Sequence, residues 1–159
     1  MFVGEIVDGC LTPSITTPAF VRYTRENVRA DIDIGCTVIA SIGDDRDGAR
    51  EIAAMYLANK FQNIQGAADT LLELAGIEME ELRPIAEAME KGGRLAAKEK
   101  VTDSLLDRCK PIAGTAAECI AAIEEYRHAG CTHVMLELWG GERHRQLELF
   151  GEQVLPHFR

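Results

Sequence analysis

Few residues in this sequence combine a reactive group with a position where chemistry is expected. Glu137 is the foremost. It is a carboxylate inside Cys131-Thr132-His133-Val134-Met135-Leu136-Glu137-Leu138, an otherwise largely apolar, strand-like run. A charge there needs a partner or a wet strand end. A functional carboxylate meets that need, and so does one paired with Arg143 or simply solvated. Trp139, the single tryptophan, is followed by Gly140-Gly141. An indole beside closely approaching backbone can carry a flavin-like ring; a core or interface tryptophan before a flexible turn is the plainer alternative. Ser41 and Gly114 complete the set, each at the end of an apolar run.

Other chemistries find little support. Gly140-Gly141 is too short for a phosphate-cradling glycine motif. The four histidines, His128, His133, His144 and His157, have no HxxxH pairing, and the five cysteines are odd in number and lack a CxxC spacing. No metal site is therefore expected, and the thiols read as reduced and mostly buried. Ser14, Ser41 and Ser104 lack a G-x-S-x-G elbow. A net charge of -9 argues against nucleic-acid binding, which needs clustered cations. There is no run of about 18 apolar residues for a membrane span. The acidic start, MFVGEIVDG, lacks the cationic and apolar stretches of a secretory signal, so a cytoplasmic protein is expected.

The elements that must position these residues follow from periodicity. Phe2 to Asp8 reads as a helix end stopped by Gly9, followed by the short apolar piece Cys10-Leu11. Thr17-Pro18 opens a helix, with Thr17 as cap and Pro18 at its first position. Ile32 to Ile42 is apolar and β-branched nearly throughout, as strands buried on both faces are. Asp44 or Asp45 caps a helix from Arg46 to Phe61, with Ala49, Ile52, Ala53, Tyr56 and Leu57 at helical spacing. Residues 61–107 form a helical insertion: Ala67–Ala75, Met79–Lys91 up to the break at Gly92-Gly93, a further turn or two over Leu95–Lys100, and a short helix capped by Thr102 or Asp103. Pro111–Gly114 is a short strand, and Thr115-Ala116-Ala117-Glu118 is a capping box. The helix it opens stops at Gly130, the strand containing Glu137 follows, and a last helix runs from Arg143 to Val154, limited by Pro156.

Strands alternating with helices predict a parallel α/β sheet with right-handed crossovers. The fold class is thus a partial (β/α)8 TIM-type barrel in one domain, residues 1–159, with about four strands. A complete barrel needs about 250 residues, and the chain has 159.

Three stretches, in order, carry a resemblance. Gly4-Glu5-Ile6-Val7-Asp8-Gly9 comes first. Ala40-Ser41-Ile42-Gly43-Asp44-Asp45-Arg46-Asp47-Gly48-Ala49-Arg50 is the second. The third comprises Ile112 to Glu118, Tyr126 to Val134, and Phe150 to Pro156. Together they resemble the later part of bacterial-luciferase-like proteins, and within them the branch similar to methylenetetrahydromethanopterin reductases. The resemblance implies a barrel that binds FMN or coenzyme F420 at the C-terminal ends of its strands, for monooxygenation or hydride transfer. It also implies that the half holding the cofactor lies outside this chain, so that no catalytic residue carries over and the chain alone binds either cofactor or none. A homo-oligomer, such as a dimer, or a complementary barrel half is the expected partner. A non-catalytic remnant or a small ligand- or partner-binding α/β module is the alternative function.

Overall fold

The computed structural model describes residues 7–28, 32–62, 64, 69–140 and 142–159. The expected helix end before Gly9 falls mostly outside them. Gly9 itself opens a strand instead of closing a helix: β1 spans Gly9–Thr12. A side chain at this position would sit 3.1 Å from the Asp33 carbonyl, so the close approach of two strands explains the glycine.

Helix α1, Pro18–Asn27, begins as its sequence dictates. The Thr17 hydroxyl accepts from the Phe20 amide at 3.2 Å, and Pro18 occupies the first turn. Strand β2, Asp33–Ile42, is the central strand of the sheet. Helix α2, Arg46–Phe61, is capped by Asp45, whose carboxylate accepts from Asp47 N at 3.1 Å. Three helices form the insertion: α3 (Asp69–Ala75), α4 (Met79–Lys98) and α5 (Asp103–Cys109), the last capped by Thr102. The break expected at Gly92-Gly93 is a kink, with Gly93 at φ 69°, after which the helix resumes.

Strand β3, Ile112–Gly114, leads into α6, Ala116–His128. The Thr115 hydroxyl accepts from the Glu118 amide, and the Glu118 carboxylate accepts from the Thr115 amide at 2.9 Å. This reciprocal cap contributes about 0.5–2 kcal/mol. Strand β4 spans His133–Leu138 and α7 spans Arg143–Leu149. The final helix is shorter than its hydrophobic pattern suggests. The chain passes through a π turn at Phe150–Val154 and a 3-10 turn at Leu155–Phe158. Pro156 lies in the first turn of that 3-10 segment, where its missing amide costs no hydrogen bond.

All pairings between strands are parallel, and β2 bonds to each of the other three. The registers decide how they are laid out. Gly35 and Cys36 each pair with both β1 and β4, and Ala40 pairs with both β3 and β4. A strand has only two edges, so β1 and β3 share one edge of β2 and β4 takes the other. An isolated bridge from Ile15 to Val38 fills the gap between β1 and β3. The sheet is a partial barrel wall, three strands across.

Two cores lie against it. One side of β2 presents Ile34, Cys36, Val38, Ala40 and Ile42 to residues of α1, α6 and the chain's end, including Val21, Ile123, Tyr126 and Phe150. On the other, Ile39 joins Ala53, Tyr56 and Leu57 of α2, which packs in turn on the insertion through Leu82, Ile85 and Leu105. Residues 61–107 are therefore the second layer of a core. The connections to β2 and to β4 run through α1 and α6 on one face, whereas the connection from β2 back to β3 runs through α2 and the insertion on the other, so helices cover both faces of the sheet.

Candidate functional site

The C-terminal ends of barrel strands are where sites are built, and Glu137 lies one residue from the end of β4. Register pairs it with Ile39 on β2, so its carboxylate projects toward α2. Its partners come from that helix and not from Arg143. The Tyr56 hydroxyl donates to Glu137 Oε1, and Lys60 Nζ donates to the same oxygen at 3.3 Å. Lys60 also donates to Ser14 Oγ at 3.2 Å, beyond the end of β1. Tyr56 and Lys60 stand one helical turn apart, so a single face of α2 serves both. Three segments distant in sequence thus meet at one carboxylate.

The cluster is half-buried, and this sets its charge states. Burial pushes the Glu137 carboxyl up, but hydrogen bonds from Tyr56 and Ser14 and the charge of Lys60 outweigh it and leave it below the ordinary carboxylate range. The Tyr56 phenol is raised, by burial first and by the carboxylate it serves. Burial works against the Lys60 ammonium, yet Tyr56 and Glu137 raise it overall. At neutral pH the cluster holds an ionised carboxylate, a protonated phenol and a protonated amine. The second carboxylate oxygen, Oε2, is buried without a hydrogen-bond partner among the described residues. Buried acceptors are usually hydrogen-bonded, so this oxygen is an exception that a further donor would satisfy.

Trp139 stacks on Tyr56, with ring centroids 4.2 Å apart and planes inclined by 23°. The Arg94 guanidinium lies 5.9 Å from its ring centroid. Its backbone carbonyl accepts from Gln146 Nε2 at 2.7 Å. Gly140 follows with φ 105°, a conformation that favours glycine. Gly141 lies outside the described residues. Ser41 is fully buried and pairs with Ala113, and its hydroxyl has no partner among the described residues. Gly114 ends β3 with φ 141°, tucked against the Glu118 carboxylate of the capping box. Of the six residues singled out from sequence, Glu137 and Trp139 are brought together around Tyr56. Ser41 and Gly114 sit in the core and at a helix cap. Tyr56 had been read only as a core position, Ser14 only as a serine without a nucleophile elbow, and Lys60 not at all.

The family signature described as luciferase-like monooxygenase matches residues 2–133. The chain belongs to the luciferase-like family. It is 31% identical over 166 residues to a 5,10-methylenetetrahydromethanopterin reductase of Methanopyrus kandleri, a match covering 98% of this chain and 46% of that protein. The solved structure of the coenzyme F420 dependent tetrahydromethanopterin reductase from Methanopyrus kandleri superposes with a TM-score of 0.79 at 28% identity. That match covers 98% of this chain and 47% of the other. The chain spans about half the length of the relatives it matches. Family membership supports an oxidoreductase-type domain on a partial luciferase-like barrel. No helix among the described residues is long and apolar enough to cross a membrane, and no described group of histidine, cysteine and acidic residues could hold a metal.

FMN and F420 both carry phosphate and a flat tricyclic ring, so a site for either needs cations and an open ring face. The strand-end cleft between β2, α2 and α7, about 430 Å³, is lined by Asp44, Asp45, Glu142 and Arg145. Its one cation is tied to Glu148 at 3.3 Å. Trp139 already has Tyr56 on its ring and Arg94 beside it. The lining of this cleft therefore does not by itself fit the phosphate of either cofactor.

Proposed function

We propose that this chain is one wall of an F420-dependent oxidoreductase of the reductase type, acting in the cytoplasm, in which further polypeptide supplies most of the cofactor site. Two features support F420 over FMN and hydride transfer over monooxygenation. Both named relatives are tetrahydromethanopterin reductases, and the solved one is F420 dependent. The match runs along 98% of this chain. The single observation that carries the reading is Glu137: an ionised carboxylate at a strand end, held by Tyr56 and Lys60, with one buried oxygen left to accept from a ligand. Such a group orients an N–H or O–H donor of a bound ring system; it does not carry electrons.

The additional polypeptide is a second copy of this chain or a complementary barrel half. The test replaces the matching half of the Methanopyrus kandleri reductase with this chain and titrates F420 and FMN by fluorescence. Saturable F420 binding is expected in the hybrid and not in the chain alone. A hybrid that folds, by circular dichroism and cooperative melting, yet binds neither cofactor shows instead a non-catalytic, partner-binding module.

A further inference from the structure

At the carboxyl end of β2 the chain divides between the two faces of the sheet. β2 runs on into α2, whose Ala53, Tyr56 and Leu57 pack on one face. Its neighbour β4 runs on into α7, whose Leu149 shares the core of the other face with Ile42. Adjacent strands that send their helices to opposite faces leave a crevice outside their carboxyl ends, and ligands of open parallel sheets sit in such crevices. Here the crevice is the cleft of about 430 Å³ between α2 and α7, a size that suits a small molecule. We infer that it binds a small organic cation, an ammonium or guanidinium carried on a short apolar body.

Gln146, in the lining of this cleft, asks for a donor. The residue is only 4% exposed. Its Nε2 donates to the Trp139 carbonyl at 2.7 Å, which fixes the amide's orientation. Its Oε1 is buried and has no partner among the described residues. Buried amide oxygens are normally satisfied, so a ligand N–H is the group that completes this one. Gly140 holds the arrangement in place. A side chain there would come within 3.5 Å of Gln146 Nε2 and 3.4 Å of Ile52 Cδ1, so the backbone after Trp139 closes directly on both.

Charge sets the sign of the ligand. Asp44, Asp45 and Glu142 line the cleft, and the cation in its described lining, Arg145, is tied to Glu148 at 3.3 Å. Asp45 is engaged as the cap of α2, where it answers the positive end of that helix. Asp44 and Glu142 are exposed and make no hydrogen bond or ion pair among the described residues. Their carboxylates repel an anion and attract an ammonium or guanidinium, whose N–H groups match both them and Gln146 Oε1. Ile42, Ile52 and Leu149 supply the apolar wall against which the body of the ligand lies.

The probe is agmatine, a butyl chain with an ammonium at one end and a guanidinium at the other, titrated calorimetrically into the full chain at low ionic strength. Saturable 1:1 binding is expected with a Kd of about 0.1–1 mM, the range open to a ligand held by a few part-exposed groups. Butyl phosphate should not bind. Asp44→Asn and Glu142→Gln should each weaken agmatine binding by about twofold to fivefold. Gln146→Met keeps the length of the side chain but removes the acceptor, and should weaken it by about fivefold or more. Melting followed by circular dichroism shows whether Gln146→Met folds without its bond to Trp139; where it does not, the two exposed carboxylate variants decide alone. No saturable binding of agmatine up to about 10 mM, an affinity unchanged in the folded variants, or tighter binding of butyl phosphate would each overturn the proposal. The measurement involves neither F420 nor further polypeptide, so its failure is distinct from a failure of the cofactor reading.

Discussion

The hydroxyl of Tyr56, two-thirds of the way along α2, donates to the carboxylate of Glu137 near the end of β4. This bond joins the central helix of the insertion side to the last strand of the sheet across a separation of 81 residues. It also explains how a carboxylate survives in an apolar strand, because the donors from Tyr56 and Lys60 offset the cost of taking the charge partly out of water.

Removing that donor tests the arrangement. Tyr56→Phe keeps the ring stacked on Trp139 but leaves Glu137 Oε1 with Lys60 alone. A loss of about 1–2 kcal/mol in urea-induced unfolding is expected, at the lower side of the range for a charged hydrogen bond because the site is part-exposed. Glu137→Gln in the Tyr56→Phe background should cost less than in the wild type, since the two side chains share one interaction.

The same cluster predicts a pH response at both ends. The Glu137 carboxyl lies below its ordinary value in the folded state. Its contribution is therefore present above about pH 4.3, the unfolded range, and is lost as pH falls through the folded value. Tyr56 and Lys60 lie above theirs. Their contribution is present below about pH 10 and disappears as pH rises through the folded values. Glu137→Gln should flatten the acid limb of stability against pH, read from urea midpoints.

A second acid-sensitive contact lies far from the site. Arg108 donates to Glu81, which also accepts from the Glu78 amide, and these hold the Glu81 carboxyl down at about 2. The α4–α5 packing should loosen as pH drops from the unfolded carboxylate range, about 4.3, toward 2. Amide exchange in α5 measured across that window should rise in the wild type. In Glu81→Gln it should already be raised at pH 6.

Thiol chemistry offers an independent check of the core. All five cysteines are free, and only Cys10 is appreciably open to solvent. Burial pushes Cys109 and Cys119 up to about 12. An aromatic disulfide reagent at pH 8 should titrate one thiol rapidly in the native protein. The other four should react only at the rate of unfolding, and all five at once in denaturant.

Gly114 is a backbone position sensitive to change. Its φ of 141° and its contact with the Glu118 carboxylate leave no room for a side chain. Gly114→Ala should lower stability by about 1–3 kcal/mol, more than Thr115→Ala, which removes only the cap, at about 1 kcal/mol. Thermal melts of the two variants decide the order.

Local rules made much of this protein legible from its sequence. The caps at Thr17, Asp45, Thr102 and Thr115 act over two or three residues, so the sequence placed the starts of four helices, two of them to within one residue. The apolar run of β2 announced a strand covered on both faces. Glu137 stood out because a charge in such a run demands an explanation. What remained hidden depended on long-range packing. Tyr56 looks like any core aromatic at helical spacing, and Lys60 like any surface lysine. Only the docking of α2 on the sheet turns them toward Glu137. Likewise, the placement of β3 behind β1 rather than beyond β2 depends on register between segments some 70–100 residues apart, which no local pattern encodes. Sequence periodicity determined that strands and helices alternate; the tertiary structure decided that the wall is three strands wide, because hydrogen-bond register is a property of paired backbones and not of either strand alone.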